Sequence, residues 1–289
     1  MPEVKTRKDK LADIGMNAVL IFYFICALFP VVWVFSLAFK TRIEILSWPP
    51  TFVFVPTLDN FRNLLGGLVG GTVGRTTVNF LRNFANSIII SFGSVALSIL
   101  VGVPATYAIA RFKFKGKEDL AFTILSFRFA PELMVIIPIY IFFQRLGLLD
   151  THLGMIWVYQ LITLPMIVWI LRGYIEDVSR ELEEACWIDG YGRFRTFWRI
   201  VLPLIRPGIA ASSLLAFIYA WNNFVFAVLL GGSRTAPVTV GAMQFISADA
   251  LRFGEMAASI VLAAIPALLL AVYSQKHLIR GLSLGAVKE

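Results

Sequence analysis

The sequence predicts an all-α integral membrane protein with six transmembrane helices and one long cytoplasmic loop between the fourth and the fifth. Three observations carry this. The chain has 289 residues, of which 58% are hydrophobic and 15% charged, and its mean hydropathy is +0.78; soluble domains run at about 45–50% apolar and about 25% charged residues. Six segments are long enough to cross the hydrocarbon core, which takes about 20 apolar residues. The segments between them alternate in charge, with 17 of the 26 Lys and Arg in one set and 8 in the other.

Taken in order, residues 1–13 form a basic tail holding Lys5, Arg7, Lys8 and Lys10. Segment 14–39 is longer than the apolar core of a cleavable signal and lacks a small-residue cleavage site, so it reads as a retained first span. Residues 40–83, rich in Pro, Gly and Thr, read as an extracytoplasmic loop with one short helix near Leu58–Leu65. The second, third and fourth spans are expected at 84–110, 120–143 and 153–172, the fifth and sixth at 207–230 and 256–278. Pro104, Pro131, Pro138, Pro165 and Pro266 fall within these segments; packed membrane helices tolerate proline because neighbouring groups satisfy the freed backbone.

The more basic set comprises the amino-terminal tail, the 111–119 turn, the 173–206 loop with Arg172 at the end of the fourth span, and the tail 279–289 with the end of the last span. Excess Lys and Arg mark the cytoplasmic side. Six spans put both termini on one side, in agreement with the charge. The membrane domain is thus 14–278, in contact with lipid.

Composition also excludes functions. The net charge of +8 serves topology, and no nucleic-acid partner is expected. Cys26 and Cys186 have no CxxC or His spacing, so they read as free thiols with no disulfide or metal site. No Ser, His and acid set suggests catalysis. His152 and His277, at span ends, read as interfacial, and Trp33, Trp48, Trp157 and Trp169 as anchors or packing. There is no internal repeat of the kind that marks many secondary transporters.

One segment breaks the apolar pattern: EEACWIDGYGRFRTFWRIVLPLIRPGI, residues 183–209. Ser179 is placed as an N-cap with acids in the first turn after it. Leu182, Ala185, Cys186 and Ile188–Asp189 set an apolar stripe beside an acidic one. Gly190 ends this helix, and a second, FRTFWRIVL, is expected to end before Pro203. Two readings fit: an amphipathic hairpin lying on lipid, or a knob that docks on a partner.

Two groups of polar residues lie within spans. Arg128 and Glu132, four apart in the third span, are expected on one helix face; they form either a mutually satisfied pair or part of a substrate path. Trp221, Asn222 and Asn223 in the fifth span read either as helix–helix contacts or as path lining, since amides bond sugar hydroxyls and a ring stacks on a sugar face.

The spacing in the loop adds a resemblance. Glu184-Ala185-Cys186, three residues, Gly190, nine residues, Ile200, one residue and Leu202-Pro203 resembles the EAA loop of permease subunits of ATP-binding-cassette importers, whose pattern is E-A-A-x3-G-x9-I-x-L-P. Cys186 replaces the second alanine. Further stretches resemble the carbohydrate-uptake (maltose-type) branch of that family: PTLDNF after the first span, NSIIISFGSVALSILVGVPATYAIARFKFKGK, FRFAPELMVIIPIYIFF, AWNNF at 220–224, and the tail QKHLIRGLSLGAVKE with Glu289 in place of a final glycine.

The resemblance implies a permease subunit forming half of a translocation pathway for a sugar, glycoside or polyol. Its implied partners are a second, different permease subunit, a dimer of ATPase subunits and an extracytoplasmic solute-binding protein. The loop would be the coupling element, with Glu184, Ala185, Cys186, Asp189, Gly190, Ile200, Leu202 and Pro203 at the ATPase contact. The chain has no G-x-x-x-x-G-K-[ST] run: Gly116-Lys117 lacks the upstream glycine and the hydroxyl residue. No cofactor is therefore expected on this chain, and ATP and Mg belong to the ATPase partner. A non-sugar solute and an independent secondary transporter are the alternative readings.

Overall fold

The computed structural model describes residues 7–66, 79–246 and 252–285. Parts of the expected amino-terminal tail, the 40–83 loop and the carboxy-terminal tail, with the end of its family-like stretch, lie outside these residues. The helices are α1 (Arg7–Leu37), α2 (Arg42–Leu46), α3 (Asp59–Leu65), α4 (Phe80–Arg111), α5 (Lys117–Ser126), α6 (Glu132–Leu146), α7 (His152–Val158), α8 (Gln160–Asp177), α9 (Arg180–Ile188), α10 (Arg193–Thr196), a π-helical turn Phe197–Val201, α11 (Leu202–Leu204), α12 (Arg206–Asn222), α13 (Val225–Leu230), α14 (Val238–Gly241), a 3₁₀ turn Ala242–Phe245, and α15 (Phe253–Gly285). The chain packs as two units, Met1–Val78 with Phe245–Leu262 and Asn79–Gln244 with Ala263–Glu289.

Among the described residues, three helices are long and apolar enough to cross a membrane: Gly15–Leu37, Phe80–Arg111 and Phe253–Ser274. Two bent pairs bring the number to five if each is one span: α7 with α8, at 44°, and Arg193–Leu204 with α12, at 71°. Uninterrupted spans are thus fewer than the six expected. The 120–143 segment is divided between α5 and α6, and the 207–230 segment between α12 and α13. Each break holds a polar side chain, Arg128 in one and Asn223 in the other.

In the first unit, the Gly15–Leu37 part of α1 is apolar and none of it is buried. The chain beyond it is tied down by polar groups. Lys40 is 1% exposed; its Nζ donates to the Thr51 carbonyl at 2.7 Å and lies 4.2 Å from the centre of the Trp33 ring. The Asn60 amide, on α3, donates to the Ala38 and Lys40 carbonyls at 3.0 and 2.9 Å. The expected short helix near Leu58–Leu65 is α3. The sequence reading missed α2, although its signal is local: Thr41 and Glu44 form a capping box, each side chain accepting from the other's backbone N–H.

In the second unit, α4, α8 and α12 pack on one another as a central trio. The α4 face towards the core is a stripe of small and hydroxyl residues: Ser87, Ser91, Ser94, Ser98, Gly102 and Thr106 are all buried. Such residues let membrane helices approach closely, and hydrogen bonds between them add about 0.6–2 kcal/mol each. Ser98 Oγ donates to Gln160 Oε1 at 2.5 Å and lies 2.6 Å from Thr163 Oγ1. Gln160 Nε2 donates to the Ser94 carbonyl at 3.1 Å. At Gly102 a Cβ would sit 3.0 Å from Ile167 Cγ2, so a larger residue would need Ile167 to give by a few tenths of an ångström.

One end of this trio is fastened by Asp150, whose carboxylate accepts from the backbone N–H of Gly232 (2.9 Å), Arg234 (3.2 Å) and Thr235 (2.9 Å) and from the Thr235 hydroxyl (2.8 Å). Burial alone would raise the Asp150 pKa, but the hydrogen bonds from Thr235, Arg234 and Gly232 outweigh it and hold the carboxyl below the ordinary aspartate range. Beside it, Asn86 on α4 donates to the Arg234 and Ala236 carbonyls and pairs with His152 Nε2 at 2.8 Å. His152, read as merely interfacial, is part of this network.

Candidate functional sites: a protruding loop and a cavity between broken helices

The 173–206 loop leaves α8, turns at Val178, and forms α9. Ser179 caps α9 as expected, accepting from the Glu181 N–H at 3.2 Å. Gly190 ends it at φ +83°, a left-handed conformation that branched residues adopt only with strain. The turn closes with Gly190 N donating to the Trp187 carbonyl and Tyr191 N to that of Cys186. At its tip Ile188 is 87% exposed. Glu184, Ala185 and Asp189 are also exposed, and Cys186, Ile200, Leu202 and Pro203 are half-buried.

The second helix does not end before Pro203. It runs through a π turn into α11 and stops at Leu204. Pro203 stands in α11, directly after the π turn, where the Leu202 N–H still donates back to the Phe197 carbonyl.

The sequence reading missed the residue that holds the loop. Glu183 points inward, at 2% exposure, while Glu184, about 100° further round the helix, points out. Arg111 Nε, at the end of α4, donates to Glu183 Oε1 at 2.5 Å, and the Tyr107 hydroxyl donates to Oε2 at 2.7 Å. Arg111 also donates from Nη2 to the Val178 carbonyl at 2.7 Å. A buried pair of this kind costs about 3–5 kcal/mol to break by removing one partner. In sequence Glu183 is one of two adjacent acids; only its inward register, with Leu171 and Ile175 fully buried on α8 before it, separates them. Beneath the loop, Arg172 makes a bidentate contact with Glu118 (2.8 and 3.0 Å) and a second with Glu176; the Arg172 hydrogen bonds hold the Glu118 carboxyl below its ordinary range.

The residues expected on a substrate path separate into two groups. Arg128 and Glu132 do not share a helix face, because the chain is non-helical from Phe127 to Pro131. They nonetheless line one cavity of ≈ 280 Å³, with Val135, Leu161 and Phe226. Arg128 stacks 4.2 Å over the Tyr219 ring. Glu132 Oε1 accepts from Asn223 Nδ2 at 3.1 Å, and Asn223 Oδ1 accepts from the Phe226 N–H at 3.2 Å. Asn223 lies in the gap between α12 and α13, so the two helix breaks meet at this carboxylate–amide contact.

Trp221 and Asn222 are elsewhere. Trp221 is 4% exposed: its ring stacks on Phe217 at 5.3 Å, meets Phe84 edge-on, and its N–H donates to the Ala263 carbonyl. Of the two readings of Trp221, helix–helix contact and path lining, these contacts fit the first. Asn222 is exposed, and its amide turns back to the Ile218 carbonyl. The helical step of 100° parts 221 from 222, and the break at Asn223 takes that residue off the helical track.

The family described as binding-protein-dependent transport system inner membrane component matches residues 95–284. The chain is similar to the diacetylchitobiose uptake system permease protein DasC of Streptomyces coelicolor, 31% identical with 98% of this chain and 99% of the relative covered. It is also similar to the trehalose/maltose transport system permease protein MalG of Thermococcus litoralis, 30% identical over the same shares. Among solved structures, a bacterial transporter that imports the acidic polysaccharide alginate contains a chain with the same fold, at TM-score 0.78 and 23% identity, with 94% of this chain and 98% of that one covered.

Proposed function

Because this chain belongs to the family of inner membrane components of binding-protein-dependent transport systems, and is a permease of the ATP-binding-cassette type, we propose that it carries a sugar, glycoside or polyol. It forms half of the pathway, beside a second, different permease subunit, and receives solute from an extracytoplasmic binding protein. Two ATPase subunits bind the ATP and Mg. Both termini and the 173–206 loop face the cytoplasm, where basic residues concentrate. The relatives named for disaccharide uptake support the substrate class.

The observation that carries the coupling role is the form of α9. Its inner side is fastened to α4 by Glu183, and its outer side offers Leu182, Glu184 and Ile188 beyond a left-handed glycine. A knob gripped from outside can thus move α4, whose seam with α8 and α12 is continuous. Arg128, Glu132 and Asn223, at the junction of two broken helices, are the residues we assign to the path; broken spans mark binding sites in other transporters.

Gly190→Leu places a branched residue at positive φ, a cost of about 1–2 kcal/mol, although a Cβ there would meet no atom within 4 Å. Glu184→Lys reverses an outward charge. Both variants are expected to keep the partner permease, yet to lose the ATPase on purification or to hydrolyse ATP without uptake. The readout is uptake of labelled disaccharides by proteoliposomes holding the whole complex and binding protein. Normal, coupled uptake in both variants refutes the coupling role.

A further inference from the structure

The loop and the end of α4 enclose two adjoining spaces, with Glu184 of the coupling face at the rim of one of them. One, of ≈ 530 Å³, is polar: Arg111, Lys113, Arg180 and Arg193 line it against Glu183 and Glu184. With Glu183 neutralised by Arg111, basic charge is in excess. The other, of ≈ 600 Å³, is a groove walled by hydrocarbon, from Leu100 and Val103 on α4 to Phe194, Trp198 and Leu202. Tyr107, Phe112 and Arg193 line both spaces, so the polar chamber is continuous with the groove.

Arg193 stands at the junction. Its guanidinium stacks 5.3 Å from Phe112 and 5.6 Å from Trp187, and among the described residues its five N–H donors meet no acceptor. Leu100 lies eleven residues before Arg111, so at the helical rise the groove reaches about 16 Å in from the end of α4, about one leaflet of a roughly 30 Å hydrocarbon core. Phe194 and Trp198 are 77% and 53% exposed, as aromatic residues at a membrane–water boundary are.

We propose that this two-part site binds one phospholipid with an anionic headgroup, its phosphate on Arg193 and an acyl chain along the groove. Basic pockets beside membrane helices on the cytoplasmic side suit such headgroups. The loop then has two faces: α9 meets a partner, while the Arg193–Leu204 stretch lies in the lipid boundary, so both readings of the loop sequence apply, each to one half.

The test uses the full chain in its purified complex, in nanodiscs carrying either brominated-chain phosphatidylglycerol or brominated-chain phosphatidylcholine. Trp198 emission is taken as the difference between the unaltered chain and Trp198→Phe. Phosphatidylglycerol is expected to quench Trp198 at about tenfold lower mole fraction than phosphatidylcholine: both carry the phosphate, but the choline ammonium offsets its charge, and only the net anionic headgroup is drawn to Arg193 with Lys113 and Arg180 beside it. Arg193→Gln should bring the two lipids together, Arg193→Lys should keep most of the preference, and Val103→Phe, which fills the groove, should abolish quenching by both. Equal quenching by the two lipids in the unaltered chain overturns the headgroup assignment. No quenching by either means that a protein segment covers the groove and overturns the site. Both are read on the unaltered chain against Trp198→Phe, so they decide even where an Arg193 or Val103 variant fails to fold.

Discussion

Helix α4 and the 120–143 segment are both apolar, both contain proline, and both read as spans, yet one is continuous over 32 residues and the other is broken at Phe127–Pro131. Proline is not the difference. Pro30, Pro104, Pro138, Pro165 and Pro266 all lie inside unbroken helices. The kind of polar group is. The serines and threonines of α4 satisfy themselves on their own helix, as Ser94 does on the Ile90 carbonyl and Thr106 on that of Gly102, or on the adjoining α8. Arg128 and Glu132 cannot. A charge at the membrane centre costs at least about 2.5–3.5 kcal/mol, and these two meet Tyr219 and Asn223 where the backbone leaves the helix. Hydroxyls leave a membrane helix whole; charges open it and line the opening.

The contrast can be broken in four places. The largest effect is expected at the end of α4, where Arg111→Ala leaves Glu183 buried without its ion partner. About 3–5 kcal/mol should be lost, and calorimetry of the purified complex should show a lower unfolding midpoint. An unchanged midpoint would mean that the loop is not fastened to α4. Next is Asn223→Leu, which removes the donor to Glu132 and the acceptor for the Phe226 N–H. A loss of about 1–3 kcal/mol is expected, with uptake reduced and assembly retained; full uptake would remove Asn223 from the path.

A smaller effect is set by pH at Asp150, which fastens the chain next to α4. Its folded pKa lies below the unfolded value of about 4. The stability it contributes is therefore complete above about pH 4 and is lost as pH falls through the lowered folded value. Asp150→Asn should remove that acid-dependent part, which midpoints measured from pH 3 to 6 would report. The smallest effect is expected for Pro131→Ala, less than about 1 kcal/mol, because the charges hold the break. Amide hydrogen exchange at residues 127–130 checks this: strong new protection would assign the break to the proline.

Much of the architecture could be read from residues alone. The apolar segments overlap α1, α4, α8, α12 and α15, with ends that differ by up to eight residues, Ser179 starts α9, and Gly190 stops it in the left-handed conformation its position suggested. These are local matters, governed by hydropathy, capping and backbone sterics. The candidate sites were legible in type but not in arrangement. Arg128 and Glu132 were singled out because charge is rare in a span, and they do share a cavity, but by way of a break rather than a helix face. For Trp221 packing and path lining both stayed open, because an aromatic beside amides has the same letters whether it faces a path or Phe217.

By itself the sequence determined the all-helical membrane character, the helix ends set by Ser179 and Gly190, and the charge asymmetry along the chain, since each follows from transfer free energy and local backbone chemistry. Only the tertiary structure decided which of Glu183 and Glu184 turns inward, that two broken helices meet at Glu132 and Asn223, and that Arg193 joins a polar chamber to an apolar groove. Those outcomes depend on the register of one helix against another. A step of 100° per residue lets neighbouring residues of equal chemistry fall on opposite faces, and no local preference distinguishes them.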